Sequence, residues 1–242
     1  MVYQNYAHTH LVVNVLNIIL ESKLFFKSFG LRLKPMFCKD KRILVASTNP
    51  GKIAELRAML DADVEWLSLS DFGNIAEIKE DGSTFAQNAR KKALGYAKAA
   101  GLWTIADDSG LVVDALDGAP GVKSARFSGT KSRDRNLIDH QNIAKVLELL
   151  RDVTQEKRTA RFFCCLCLAS PEQILIETEG TLEGLIINKE IGKNGFGYDP
   201  IFFVPHLNKT VAQLTSEEKN AISHRGNAIR KLKPLLEKHL SS

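Results

Sequence analysis

From Arg42 onward, short apolar runs alternate with stretches whose apolar residues recur every three or four positions, which is the pattern of an α/β fold. Residues 43–47 read as a strand. Residues 52–60 continue as a helix with Ile53, Leu56 and Leu60 on one face. Thr84 has the chemistry of an N-cap, so a helix is expected over residues 85–100, with Gly101 as its stop. Residues 102–106 and 111–116 are strand-like and flank the polar Asp107-Asp108-Ser109-Gly110. Beyond a loop rich in glycine, proline and serine, residues 133–150 form an amphipathic pattern, and two longer β runs cover 159–169 and 173–185. Glycines and aromatics fill 195–205, and residues 216–239 read as helical. No internal repeat or low-complexity linker interrupts the pattern.

Composition changes the picture in one respect. The chain has 242 residues, 44% hydrophobic and 25% charged, enough to bury a sizeable core. Its net charge of +5 belongs to the amino-terminal segment: residues 1–42 hold seven basic and two acidic residues, leaving 26 of each sign in residues 43–242. The pI near 9.0 is therefore not a nucleic-acid footprint on the main body, and no nucleic-acid partner is expected.

Residues 11–20 are apolar but too short to span a bilayer, and Glu21 and Lys23 follow them. No membrane partner is expected. A secretory signal would carry its positive charge before the apolar stretch and small residues after it, whereas here Phe25 and Phe26 stand where cleavage should occur. The basic, acid-poor character also suits a mitochondrial presequence. Met36 offers a plainer reading, with residues 1–35 an extension outside the folded domain and residues 36–242 the working protein.

Cys164, Cys165 and Cys167 lie in an apolar run that reads as a buried strand, and Cys38 stands alone. Cys164 and Cys167 have CxxC spacing, but strand residues three apart point to opposite faces and cannot close on one metal. Buried reduced thiols and a reducing compartment, the cytoplasm, are expected.

Three stretches carry candidate chemistry. Ser47-Thr48-Asn49-Pro50-Gly51-Lys52 lies between a strand and a helix amino terminus, where backbone N–H groups and the helix dipole favour an anion. It is not a Walker A loop, because Ile53 follows the lysine, and the same residues also suit an ordinary Pro-Gly turn. Asp107-Asp108 would emerge at a strand end, where two acids suit a divalent cation and its water, although paired acids before a glycine also suit an ordinary turn. Alternation along the strand should send one to the site and the other to a supporting role. Gly195-Phe196-Gly197-Tyr198-Asp199-Pro200 suits a pocket in which a planar base stacks and its N–H finds a carboxylate, although a tight turn with core aromatics has the same composition. Lys219 and Ser223 share a helix face, and His224 and Arg225 add donors.

In this order, these segments closely resemble the inosine triphosphate pyrophosphatase family. The likeness runs from Ile43 to about Leu236. It rests on the 47–52 loop, Phe85 with Asn88-Ala89, Ala106 to Gly110, Gly118-Ala119-Pro120-Gly121 with Ser124-Ala125-Arg126, residues 195–205, and Glu218 to Gly226. Each is a modest signal, and six in sequence are a strong one.

The resemblance implies a two-lobed α/β protein with a long central mixed β-sheet flanked by helices and a nucleotide cleft between the lobes. It also implies a homodimer, Mg²⁺ dependence, and hydrolysis of ITP, dITP and XTP to the monophosphate and pyrophosphate. Carried over by position, the phosphate loop falls on Ser47, Thr48, Asn49, Pro50, Gly51 and Lys52, and Lys92 matches a position that reaches the phosphates. The general base falls on Asp108, which also helps to hold Mg²⁺, and Ser109 touches the substrate. Base recognition falls on Phe196, Gly197, Tyr198 and Asp199, with further contacts at Lys219, His224 and Arg225. Some relatives place a metal-binding glutamate three residues before the glycine matched by Gly82; that position is Lys79 here, and Glu80 is the nearest substitute.

Hypoxanthine presents an N1–H donor and an O6 acceptor, so Asp199 is expected to accept the first and Arg225 or the backbone to serve the second. Maf-type nucleotide pyrophosphatases carry an Arg-Arg pair after a Ser-Pro in the first loop, which Asn49-Pro50-Gly51-Lys52 does not match. A nucleotide-binding module without turnover is the other alternative, and the retained Asp107-Asp108 pair argues against it.

Overall fold

The computed structural model describes residues 42–73 and 75–241, so the readings of residues 1–35, Met36 and Cys38 lie outside the described residues. In chain order the elements are β1 (Arg42–Ala46), α1 (Pro50–Met59), β2 (Glu65–Ser68), α2 (Phe85–Ala100), β3 (Trp103–Val113) and α3 (Arg135–Leu149). They continue with β4 (Thr159–Ala169), β5 (Ile174–Ile186), β6 (Phe202–Val204), β7 (Lys209–Thr210), α4 (Ser216–Ile222) and α5 (His224–Leu240). The strands form one seven-stranded sheet in the order β2-β1-β3-β4-β5-β6-β7. β1 runs parallel to β2 and β3, and every pairing from β3 to β7 is antiparallel. This is the mixed, helix-flanked sheet that the resemblance implies.

Local chemistry sets several boundaries as expected. Thr84 Oγ1 accepts from the Gln87 N–H at 3.2 Å, and Gly101 closes α2 in the left-handed region at φ 66°. Ala89, Ala93 and Ala97 form the fully buried face of α2, and these small side chains let the helix lie close on the sheet. A larger residue there would overpack the contact at a cost of about 1–3 kcal/mol.

The long strands β3, β4 and β5 carry two lobes. At one end the sheet is sandwiched, with α1 and α5 on one face around Ile43, Val45, Ile105 and Leu166, and α2 on the other around Leu44, Ala46 and Ala106. At the other end Leu111, Val113, Phe162 and Leu182 pack under α3 with Tyr198, Ile201 and Phe202.

Two expectations need correction. Asp107 to Gly110 is not a break between two strands at a strand end, because β3 runs unbroken from Trp103 to Val113 and pairs with β4 from Thr104↔Ala169 to Val113↔Ala160. Eleven-residue β4 supplies a continuous ladder, which overrides the poor strand propensity of Asp-Asp-Ser-Gly. Residues 216–239 are two helices rather than one. Ser223 adopts an extended conformation (φ −64°, ψ 156°) between them, and its Oγ accepts from the Gly226 N–H at 3.0 Å to cap α5. The short strands β2, β6 and β7 carry too few residues for a periodic signal.

Cys164 packs on the α1/α5 side and Cys165 and Cys167 on the α2 side, all three as free buried thiols. Burial pushes Cys165 and Cys167 up to about 12. Among the described residues no helix is long and apolar enough to cross a membrane.

Candidate active site

Pairing between β1 and β3 ends at Ala46↔Ala106, while pairing with β4 continues through Asp107↔Leu166 and Asp108↔Cys165. One edge of β3 therefore opens at Asp107, where the chain after β1 turns into the 47–49 loop. Strand alternation sends the two carboxylates to opposite faces.

Asp107 turns toward α1 and α5 and is fully engaged. It accepts from Lys52 Nζ at 2.5 Å, Arg225 Nε at 2.7 Å, Ser109 Oγ at 2.8 Å and Cys164 Sγ at 3.2 Å. Burial pushes its carboxyl upward, but the Arg225 and Lys52 cations more than offset this and hold it well below the usual carboxylate range.

Asp108 turns toward α2. Its Oδ1 lies 3.4 Å from Lys92 Nζ, and its buried Oδ2 accepts no hydrogen bond. Burial raises the Asp108 carboxyl, against the pull of Lys92, Lys52 and the Asn88 side-chain donor, and the neighbouring Glu80 adds to the rise. A buried carboxylate with a free lone pair, held above its ordinary pKa, can accept a proton from water.

Lys92 reaches from α2 to the same place. Its ammonium donates to Glu80 Oε1 at 2.6 Å and to the main-chain carbonyl of Asp107 at 2.7 Å, an acceptor that no strand claims on the open edge. Glu80 is also met by Arg126, which lies 3.4 Å from Oε2 and donates to the Glu80 carbonyl at 3.1 Å. Burial and the Lys92 cation act on Glu80 in opposite senses, and the net effect lowers its carboxyl.

The 47–52 loop differs in detail from the expectation. Asn49 Oδ1 accepts from the N–H groups of Gly51 at 2.9 Å and Lys52 at 3.3 Å, capping α1 itself. Two of the amides expected to face an anion are thus turned inward, and Pro50 has none. Ser47, Thr48, Asn49 and Lys52 still line a cavity of about 890 Å³ that also takes in Glu80, Lys92, Asp107, Asp108 and Ser109. Pro50 and Gly51 are not among its lining residues. Gly51 instead backs the aromatic segment, since a Cβ there would lie 2.6 Å from the Phe196 ring.

A second, smaller chamber of about 70 Å³ adjoins the first through Asn49, Lys52 and Ser109. Phe162, Phe196, Gly197, Tyr198, Asp199, Lys219, His224 and Arg225 line it, so the structure gathers the distant aromatic and carboxy-terminal candidates into one wall. Asp199 is buried, and its Oδ2 accepts from the Phe196 N–H at 2.9 Å and Lys219 Nζ at 2.7 Å. Burial raises its carboxyl against the pull of Lys219. Gly195 (φ 77°) makes this turn possible, because a Cβ there would collide with Asp199 Oδ2. Tyr198 donates to the Ser124 carbonyl at 2.9 Å. His224 stacks on Phe162 with centroids 4.9 Å apart, and burial, aided by Arg225, holds it well below its ordinary pKa, so the ring is neutral. Its Nδ1 accepts no hydrogen bond and donates none.

Arg225 lines the aromatic chamber and is also tied into the protein. Its three guanidinium nitrogens donate to Asp107, Ser109 (2.8 Å) and Glu55, so it ties the site together through three of its five N–H groups. Sequence reasoning missed Glu55, which also pairs with Lys219 at 2.9 Å. It also missed Asp139, whose Oδ2 accepts from the Gly197 N–H at 2.9 Å, and Phe162 beneath His224. All three sit on amphipathic or alternating stretches where nothing local separates them from surface or core positions.

Asp108, with its unshared Oδ2, and Glu80, joined to it through one ammonium, could hold a divalent cation. Among the described residues no group of three or more His, Cys, Asp and Glu converges as a metal cage. A site of one or two carboxylates completed by phosphate oxygens and water suits Mg²⁺.

The Ham1 family profile matches residues 43–235. The dITP/XTP pyrophosphatase of Bacillus anthracis is 49% identical over 195 residues, which is 79% of this chain and 94% of that protein. The solved Ham1 protein of Staphylococcus aureus is 43% identical with a TM-score of 0.71, covering 81% of this chain and 98% of that one. A HAM1 protein of Coxiella burnetii superimposes at a TM-score of 0.73 with 41% identity, over 81% of this chain and 98% of that one.

Proposed function

The chain belongs to the Ham1 family, and from that premise we propose how its two chambers hydrolyse non-standard purine nucleoside triphosphates, ITP, dITP and XTP, to the monophosphate and pyrophosphate. The observation that carries the reading is the position of Asp108, a buried carboxylate with one oxygen unshared, on the wall of a large polar cavity that opens into an aromatic chamber. The polar cavity suits a triphosphate and the aromatic chamber a planar base.

Asp108 takes the proton of the attacking water, and its raised pKa makes it a stronger base than an ordinary aspartate. Lys52 and Lys92 offset the charge of the triphosphate, with Ser47, Thr48, Asn49 and Ser109 as neutral partners, while Lys219 stands in the wall of the aromatic chamber paired with Asp199 and Glu55. Phe196, Gly197, Tyr198, Asp199 and His224 receive the base, and Arg225 holds the wall through Asp107 and Glu55. Asp108 and Glu80 would hold Mg²⁺, which when bound supplies neutralisation of charge at the phosphates. Residues 36–242 suffice for this activity in our reading, since the family match begins at residue 43. We further infer a homodimer working in the cytoplasm, the first from family resemblance and the second from three buried free thiols.

Incubation with ITP and Mg²⁺, followed by chromatography of the products, tests the reading. IMP and pyrophosphate in equal amounts, lost on adding EDTA, are expected. IDP with phosphate, or no turnover, would overturn it.

A further inference from the structure

We propose that Lys92 is a built-in counter-ion holding the cation position of the nucleotide-free enzyme, so that the divalent metal enters together with the triphosphate. This rests on the reading that Asp108 and Glu80 hold a divalent cation.

An ammonium group has three donors, and each here has an oxygen: Glu80 Oε1 at 2.6 Å, the Asp107 carbonyl at 2.7 Å and Asp108 Oδ1 at 3.4 Å. The side chain is only 9% exposed, so water screens these contacts weakly. Carboxylate and carbonyl oxygens are also what a hard divalent cation takes, so the two cations compete for one set of ligands. Charge balance points the same way. Glu80 and Asp108 are matched by Lys92 and Arg126, leaving a metal ion that arrives alone a neutral site with an ammonium in its way.

A triphosphate reverses that balance. The Lys92 ammonium lies on the wall of the 890 Å³ cavity, where phosphate oxygens would offer it new acceptors. Its departure would release Glu80 and Asp108 together. Lys92 is thus a positioning residue that couples metal entry to substrate entry, beyond its expected contact with phosphate.

Mn²⁺ binding, read from the EPR signal of the free ion, tests this without turnover. Wild-type protein without nucleotide should bind Mn²⁺ about tenfold or more weakly than in the presence of saturating α,β-methylene ITP. Lys92→Met without nucleotide should bind Mn²⁺ about tenfold or more tightly than wild type, and Glu80→Gln in that background should remove the gain. Lys92→Arg, which keeps the charge, should show no gain. Equal Mn²⁺ affinities for wild type and Lys92→Met would overturn the proposal, as would wild-type affinity that is the same with and without the analogue. Lys92→Gln serves if the methionine variant does not fold. If Mn²⁺ fails to bind even with the analogue, the metal reading itself falls. If it binds with the analogue and Lys92→Met changes nothing, only this inference does.

Discussion

Asp107 and Asp108 are neighbours on one strand, yet they share no partner atom except through the Lys92 ammonium, which takes the carbonyl of the first and approaches the carboxylate of the second. Asp107 is spent on Lys52 and Arg225; Asp108 keeps an oxygen unshared. The two asparagine variants should therefore fail differently. Asp108→Asn should lower kcat by about 10³-fold while binding of the α,β-methylene analogue and the melting temperature stay near wild type. Asp107→Asn should lose about 3–5 kcal/mol of stability, because it leaves two buried cations without their carboxylate. Steady-state kinetics and thermal melts of both variants check this; equal activity losses with unchanged melting in both would sink the assignment.

The same relationship sets a pH dependence. Arg225 and Lys52 depress Asp107 well below 3.8 despite its burial, so its folded-state pKa lies below its unfolded one. Its stabilisation is present above the unfolded value of about 3.9 and is lost as pH falls through the folded pKa. Melting temperatures of wild type and Asp107→Asn should differ most at neutral pH and converge under acid. A gap that stays constant from pH 7 to pH 2 would contradict the pairing.

Base selection should depend on Asp199 and triphosphate binding on Lys52. Asp199→Asn should lower kcat/KM for ITP by roughly 10²-fold and narrow the preference over ATP, because an amide offers a donor as well as an acceptor where the carboxylate only accepts. Lys52→Ala should weaken ITP, XTP and ATP by similar factors, since all present one triphosphate. Kinetics of the two variants on the three nucleotides compare them directly. Equal losses for all three with Asp199→Asn would reassign the residue to holding Lys219 and the Phe196 turn, which it also does.

Gly51 supports the base chamber from behind. A methyl group at this position would lie 2.6 Å from the Phe196 ring, which also has the Lys219 ammonium 4.3 Å from its centroid. Gly51→Ala should displace the ring and raise KM for ITP by about tenfold, with kcat changed less, because the proton acceptor is untouched. An unchanged KM would show that Phe196 does not shape base binding.

Much of the fold and half of the site are legible along the chain, because helix and strand periods, caps and short motifs are local. Thr84, Gly101 and the 159–169 run fell where the structure has α2 and β4. The 47–52 loop, the Asp107-Asp108 pair and the 195–200 segment could be singled out by residue type, and the order of six such segments was enough to indicate the family, which in turn pointed to Asp108. What each side chain does there was decided by pairs far apart in the chain. Arg225 meets Asp107 across 118 positions and Glu55 across 170, so a helix residue that locally resembles a solvated cation becomes the buried link between both chambers. Strand register decided which aspartate stays unshared, since β4 carries the sheet past the point where β1 leaves it and alternation then divides the pair between two faces. Periodicity and residue type specify what an element is and which chemistry it carries. The acceptor that each buried charge meets is set by packing, because a cation removed from water takes the nearest oxygen in space, whatever its distance along the chain.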